Sequence, residues 1–179
     1  MSLAMHFVPL SPKSFDDLSH ANECDGLAII GDDELQNDKF GVEQFNDIVH
    51  YLITGKPCPL LRLSFCLPTA KESLNAFVPK DSVSDPLSYA IGGGWVLPKP
   101  LSSVAYYLEP ERVQKAAAVI QKISVTDLLS KWDFEMMKTL ELNYLARLHV
   151  TDLNWLWPPF QADYAKAAER NNFIIKYFA

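Results

Sequence analysis

Apolar residues recur along this chain at two spacings, alternate positions and helical turns, and together they mark a series of short elements. Leu3, Met5 and Phe7 alternate with Ala4, His6 and Val8, which predicts a first strand. Ser11-Pro12 supplies an N-cap and a first helical residue, with Phe15 and Leu18 on the inner side of a short helix. Val42, Phe45, Val49, Leu52 and Ile53 fall at i, i+3, i+7, i+10 and i+11, an amphipathic helix ended by Gly55. Leu61, Leu63, Phe65 and Leu67 alternate with Arg62, Ser64 and Cys66, a further strand closed by Pro68. Between these elements, Asn22–Lys39 reads as loop broken by the apolar Leu27–Ile30, and Thr69–Ser84 as a polar surface excursion.

The most sharply bounded segment is Asp85-Pro86-Leu87-Ser88-Tyr89-Ala90-Ile91-Gly92-Gly93-Gly94-Trp95. Asp at the N-cap, Pro at the first helical position and Gly past the end define a short helix. Leu87, Ala90 and Ile91 give it one face to bury. Three of the chain's seven glycines follow in one run, a backbone role rather than a side-chain role. Trp95-Val96-Leu97 then reads as a short extended piece, and Val104–Leu108 as a β-branched and aromatic strand.

Pro110 opens the next helix, with Glu111 in its first turn and Val113, Ala116, Ala117 and Ile120 facing inward. Ser124 and Asp127 form a capping box before Leu128 and Leu129, and Asp133 caps a helix carrying Phe134, Met137, Leu140 and Tyr144. Leu153, Leu156, Trp157, Phe160, Tyr164 and Ala168 follow at helical spacing, with Pro158 and Pro159 expected near that helix's start. Asn171-Asn172 ends it. Phe173–Phe178 is a nearly continuous apolar run, which places the final strand inside a sheet rather than at its edge. With no repeat and no linker, residues 1–179 read as one domain of α/β character, α+β in type.

Composition narrows the classes. Hydrophobic residues at 49% and charged residues at 21% fit a globular protein. A net charge of −6 without any basic cluster argues against nucleic acid and against anionic membrane surfaces. No run approaches the roughly 18 apolar residues of a membrane span, and Met1–Leu10 lacks a basic segment and cleavage site, so a cytoplasmic location is expected. Cys24, Cys58 and Cys66 are odd in number and read as reduced thiols. The four His are scattered, so no metal site and no cofactor is implied.

Candidate chemistry gathers near the glycine run. The known phosphate loops run strand, glycines, helix; here the order is helix, glycines, strand, and a helix C-terminus repels anions. The run therefore reads as a tight helix-to-strand corner. On a helical wheel Glu43, Asn46, Asp47 and His50 share the flank opposite the apolar face of their helix. Ser88 with His50 and Asp47 or Glu43 would supply nucleophile, base and orienter. Ser88, however, lies inside a short helix and is better placed for a reciprocal cap with Asp85. If His50 approaches Gly92, Gly93 and Gly94, then Trp95, Tyr106 and Tyr107 complete a candidate pocket.

Three segments taken in order resemble the YfbM-like family, domain of unknown function 1877. They are His50-Tyr-Leu-Ile-Thr54-Gly55, then Asp85-Pro-Leu-Ser88-x-Ala90-Ile91-x-Gly-Gly94, then Tyr107-Leu108-x-Pro110-Glu111-x-Val113. Tyr164-x-x-Ala167-Ala168 and the apolar final strand match the family's usual ending. The resemblance implies a bacterial domain of several helices packed on a small mixed β-sheet, with no established activity and no catalytic residue to carry over. The chain departs from the family pattern at Asn46, where Trp is usual, at Tyr106, where a basic residue is usual, and in a longer Lys56–Ser84 connection.

These features favour a non-catalytic cytosolic binding protein, whose acidic surface suits a basic protein partner as immunity-type proteins do. The alternative is a small-molecule binding protein or enzyme using His50 and the Gly92–Gly94 corner.

Overall fold

The computed structural model describes residues 5–20, 40, 45–58, 85–97, 105–142 and 148–178. The expected strand at 61–67, the apolar 27–30 segment and the 69–84 excursion lie outside these residues, as do Leu3, Val42, Glu43, Val104 and Tyr144. In chain order the elements are β1 (Met5–Leu10), α1 (Pro12–His20), α2 (Asn46–Thr54), α3 (Pro86–Gly92), β2 (Trp95–Val96) and β3 (Ala105–Leu108). They continue with α4 (Pro110–Ile120), α5 (Val125–Ser130), α6 (Phe134–Thr139), a 3-10 turn at Val150–Asp152, α7 (Leu153–Glu169) and β4 (Phe173–Phe178).

The caps read from the sequence form these helices. Ser11 Oγ accepts the Ser14 N–H at 3.1 Å, and Asp133 Oδ1 accepts that of Met136 at 2.9 Å. Ser124 and Asp127 bond reciprocally, at 3.1 and 2.7 Å, as a capping box. Gly55 ends α2 in the left-handed conformation, with φ 73°. Helix α6 stops sooner than its apolar spacing suggested, because Glu141 adopts φ 54° and breaks the turn. In α7 the two prolines sit in the second turn rather than at the start. Both are exposed, so the carbonyls of Asn154 and Trp155 that lose their partners lie on the solvent flank.

The four strands are ordered β1-β4-β3-β2, and every pairing among them is antiparallel. This is the expected α+β domain, with an antiparallel sheet among the described residues where a mixed one was implied. The apolar run at the end of the chain is β4, which lies between β1 and β3 as its composition predicts.

Alternation along the strands divides the interior in two. Phe7, Tyr106, Leu108 and Ile174 face the main core with α2, α3, α4 and α7. Val8, Leu10, Ala105 and Ile175 face a smaller cluster closed by Phe15 and Leu18 of α1. There Phe15 stacks on Phe173, with ring centroids 3.9 Å apart. In the main core, Phe7, Phe160 and Tyr164 meet edge to face or tilted, so α7 lies across the β1 side of the sheet. Helix α3 packs between α2 and α4, directly above β4.

Candidate functional site

The site begins with α3, because its two ends hold most of the candidate residues. Asp85 accepts the N–H groups of Leu87 and Ser88, at 3.4 and 3.1 Å. Ser88 Oγ donates to the same carboxylate at 2.7 Å, the reciprocal cap its position suggested. The hydroxyl thus spends its proton on Asp85 rather than on His50, and a serine nucleophile is not assembled.

At the other end Gly92 is the last helical residue and Gly93 is extended. Gly94 has φ 141°, and a Cβ there would stand 2.9 Å from the Tyr107 carbonyl oxygen. This one position requires glycine, because the chain must turn against β3 to become β2.

A helix C-terminus leaves carbonyls without partners. Here side chains from distant elements fill them. The Tyr164 hydroxyl of α7 donates to the Ala90 carbonyl. Lys176 of β4 donates from Nζ to the carbonyls of Tyr89, of Gly93 at 2.8 Å and of Ile91 at 3.5 Å. Lys176 is 0% exposed, and burial pushes its pKa well below the usual lysine range.

His50 approaches the same end from α2. Its ring is 2% exposed, and Nδ1 lies 2.8 Å from the Lys56 carbonyl oxygen. A carbonyl can only accept, so Nδ1 carries the proton and Nε2 presents a bare lone pair. Nε2 is buried with no hydrogen-bond partner, although the Ser88 main chain is near enough to favour the charged ring slightly. Burial holds the His50 pKa below its ordinary value; Lys56 and then Asp47 oppose this, and Lys176 adds to it. Asp47 is also buried, and its Oδ1 accepts the Cys58 N–H at 2.7 Å. The polar flank of α2 therefore turns inward, where it supports the segment that follows the helix.

The tyrosines part company. Tyr106 is buried on the main-core face, and burial, with Cys58 beside it, raises its pKa to about 12. Tyr107, next in the strand, packs on Phe15 in the smaller cluster. Trp95 is 40% exposed, and the Arg112 guanidinium lies 5.1 Å from its ring and 5.3 Å from that of Tyr89. So Asp47, His50, Ser88, Gly92–Gly94 and Tyr106 share the buried surroundings of α3, while Asp85 and Trp95 lie at the surface and Tyr107 on the sheet's other side.

Of the two residues that complete the corner, Lys176 was not singled out from the sequence, and Tyr164 was named for its helix face and family motif but not for this role. The available signal was Lys176 itself, the one charged residue in an apolar six-residue strand. Elsewhere, Pro9, Phe40, Asp163, Lys166, Arg170 and Asn172 line a shallow cleft with room for about one water molecule. Among the described residues no three His, Cys, Asp or Glu side chains are grouped to hold a metal. Nor is any helix among them long and apolar enough to cross a membrane.

Fold and site together define an α+β domain whose central helix is closed at its N-terminus by Asp85 and at its C-terminus by side chains of α7 and β4. Residues 1–177 match the family described as a domain of unknown function, DUF1877, and the chain belongs to that family. Among solved structures, it is similar to YfbM of Escherichia coli, a protein of unknown function, at 12% identity and a TM-score of 0.65. That likeness covers 98% of this chain and 99% of the other, and it concerns the fold alone. No curated protein matches the chain.

Proposed function

We propose that the chain is a non-catalytic cytoplasmic binding protein that takes a basic protein partner. One contrast among the described residues carries the reading: His50 and Lys176, the ionisable side chains around the end of α3, are buried, whereas large side chains suited to recognition are exposed. Trp155 is 53% exposed, and Trp95, Phe134 and Met136 are exposed as well. The net charge of −6 adds long-range attraction for a basic surface. Retention of partners from the source lysate on the immobilised protein, at low and at high salt, tests this. A stoichiometric basic protein, lost at high salt and weakened by Trp155→Ala or Trp95→Ala, is the expected result. Recovery of no stoichiometric partner at either salt concentration sinks the proposal.

A second reading, a small-molecule binding protein or enzyme built on His50, is favoured by the buried lone pair of Nε2. A thermal-shift screen of small hydrogen-bond donors separates it from the first. A compound that stabilises the wild type and not His50→Asn supports it; equal shifts in both proteins, or none in either, reject it.

A further inference from the structure

Lys176 sits where the main chain has built a concave set of oxygen acceptors. We infer that the corner at the end of α3 is a binding site for a primary ammonium ion, and that the chain fills it with its own Lys176 ammonium group.

The first support is the donor count. Nζ faces three carbonyl oxygens, those of Tyr89, Ile91 and Gly93. An ammonium ion has three N–H donors and no lone pair, so it satisfies all three. A neutral amine has two donors and would turn its lone pair toward one of those oxygens, which is repulsive.

The second support is the field around the group. Two of the three oxygens, those of Tyr89 and Ile91, belong to the C-terminal end of a helix, where the aligned peptide dipoles place roughly half a negative charge. The extended Gly93 adds the third beside them. Lys176 pairs across the sheet with Phe7 on one side and Tyr106 on the other, and Nζ lies 5.6 Å from the centre of the Phe7 ring. The ring's negative face favours a cation there.

The titratable groups around Nζ complete the picture. Burial works against charge on Lys176 and Cys58, which follows α2, acts the other way, so the ammonium form rests on the acceptor geometry. His50 from α2 is neutral and Nδ1-protonated, and Tyr106 from β3 and Tyr164 from α7 are held as neutral phenols. Among the described residues no carboxylate pairs with Lys176. The cation is therefore balanced by carbonyl dipoles and an aromatic face, a set of acceptors suited to a small ammonium ion. This assignment also gives the glycine run a purpose, because the turn through Gly93 and Gly94 brings the Gly93 oxygen back beside those of the helix.

The test uses the whole chain. Lys176→Ala empties the site and leaves two or three buried carbonyls bare, with an expected fall of roughly 10 °C in Tm. The removed atoms are three methylenes and an ammonium group, so n-propylammonium chloride is the matching probe. It should recover most of the loss, while n-propanol, of the same shape without charge, and tetramethylammonium, which cannot donate, should not. Recovery by n-propanol equal to that by n-propylammonium overturns the inference, since filling space would then suffice. So does a Lys176→Met variant as stable as the wild type. Should Lys176→Ala fail to fold, the wild type still decides: nitrogen-15 NMR of the Lys176 side chain at pH 7 should report an ammonium group, and a neutral amine rejects the assignment.

Discussion

The two ends of helix α3 are held by opposite means. Its N-terminus is closed from within three residues, by the Asp85 carboxylate on Leu87 and Ser88. Its C-terminus is closed from across the molecule, by Tyr164 at 74 positions away and Lys176 at 87. The first end can form in a peptide. The second exists only when α7 and β4 have docked, so it records the tertiary fold and carries its energy. Groups that become bare at the distant end are deeply buried, whereas the local end lies near the surface, with Asp85 exposed, Leu87 half-buried and Ser88 only just covered.

The difference predicts an order of damage. Gly94→Ala should be worst, because a side chain at φ 141° is strained and its Cβ meets the fixed Tyr107 oxygen at 2.9 Å. A loss of about 3 kcal/mol is expected, read from the urea midpoint. Retention of wild-type stability would mean that the turn can relax and that the corner is not rigid. Tyr164→Phe removes only an oxygen, but leaves the Ala90 carbonyl buried without its donor. About 2 kcal/mol, or roughly 4–8 °C in Tm, should be lost.

At the local end, Asp85→Ala should cost only about 1 kcal/mol, the usual value for an N-cap. Combined with Tyr164→Phe, its effect should add to within roughly 0.5 kcal/mol, since the two ends share no partner. Equal losses at the two ends, or strong coupling between them, would erase the distinction drawn here.

The same distinction explains what could be read from the sequence. Caps, proline positions and the αL glycine act within a few residues, so Asp85, Ser124, Asp133, Pro110 and Gly55 announced their helices. Strand β4 was legible as an inner strand because one lysine in six residues does not break an apolar run. What that lysine touches was not legible, because its acceptors are main-chain oxygens, which carry no sequence signature. The burial of the α2 flank was not legible for a related reason. A wheel puts Asn46, Asp47 and His50 opposite the apolar face but does not say what covers them, and Asp47 and His50 turn inward to serve the main chain of Cys58 and Lys56. Polarity marks the solvent side only where no irregular backbone needs partners. The resemblance to the family was legible in the same local motifs, which is why it conveyed fold and no chemistry.

His50 offers the finest measure of how tightly the distant end is sealed. Burial lowers its folded pKa below the ordinary 6.5, so between those two values the unfolded chain binds more protons than the folded one. Stability from this group is therefore complete above about pH 6.5 and is lost as pH falls toward the folded pKa. His50→Asn keeps a donor for the Lys56 carbonyl, removes the titrating ring, and leaves His6, His20 and His149 to act equally in both proteins. Its stability should accordingly fall less steeply than the wild type's as pH drops below 6.5, the gap growing at no more than about 1.4 kcal/mol per pH unit for one proton. Urea unfolding of both proteins from pH 7.5 to 5 measures that gap. Parallel curves would mean that water reaches Nε2, and the corner would then be open on the α2 side.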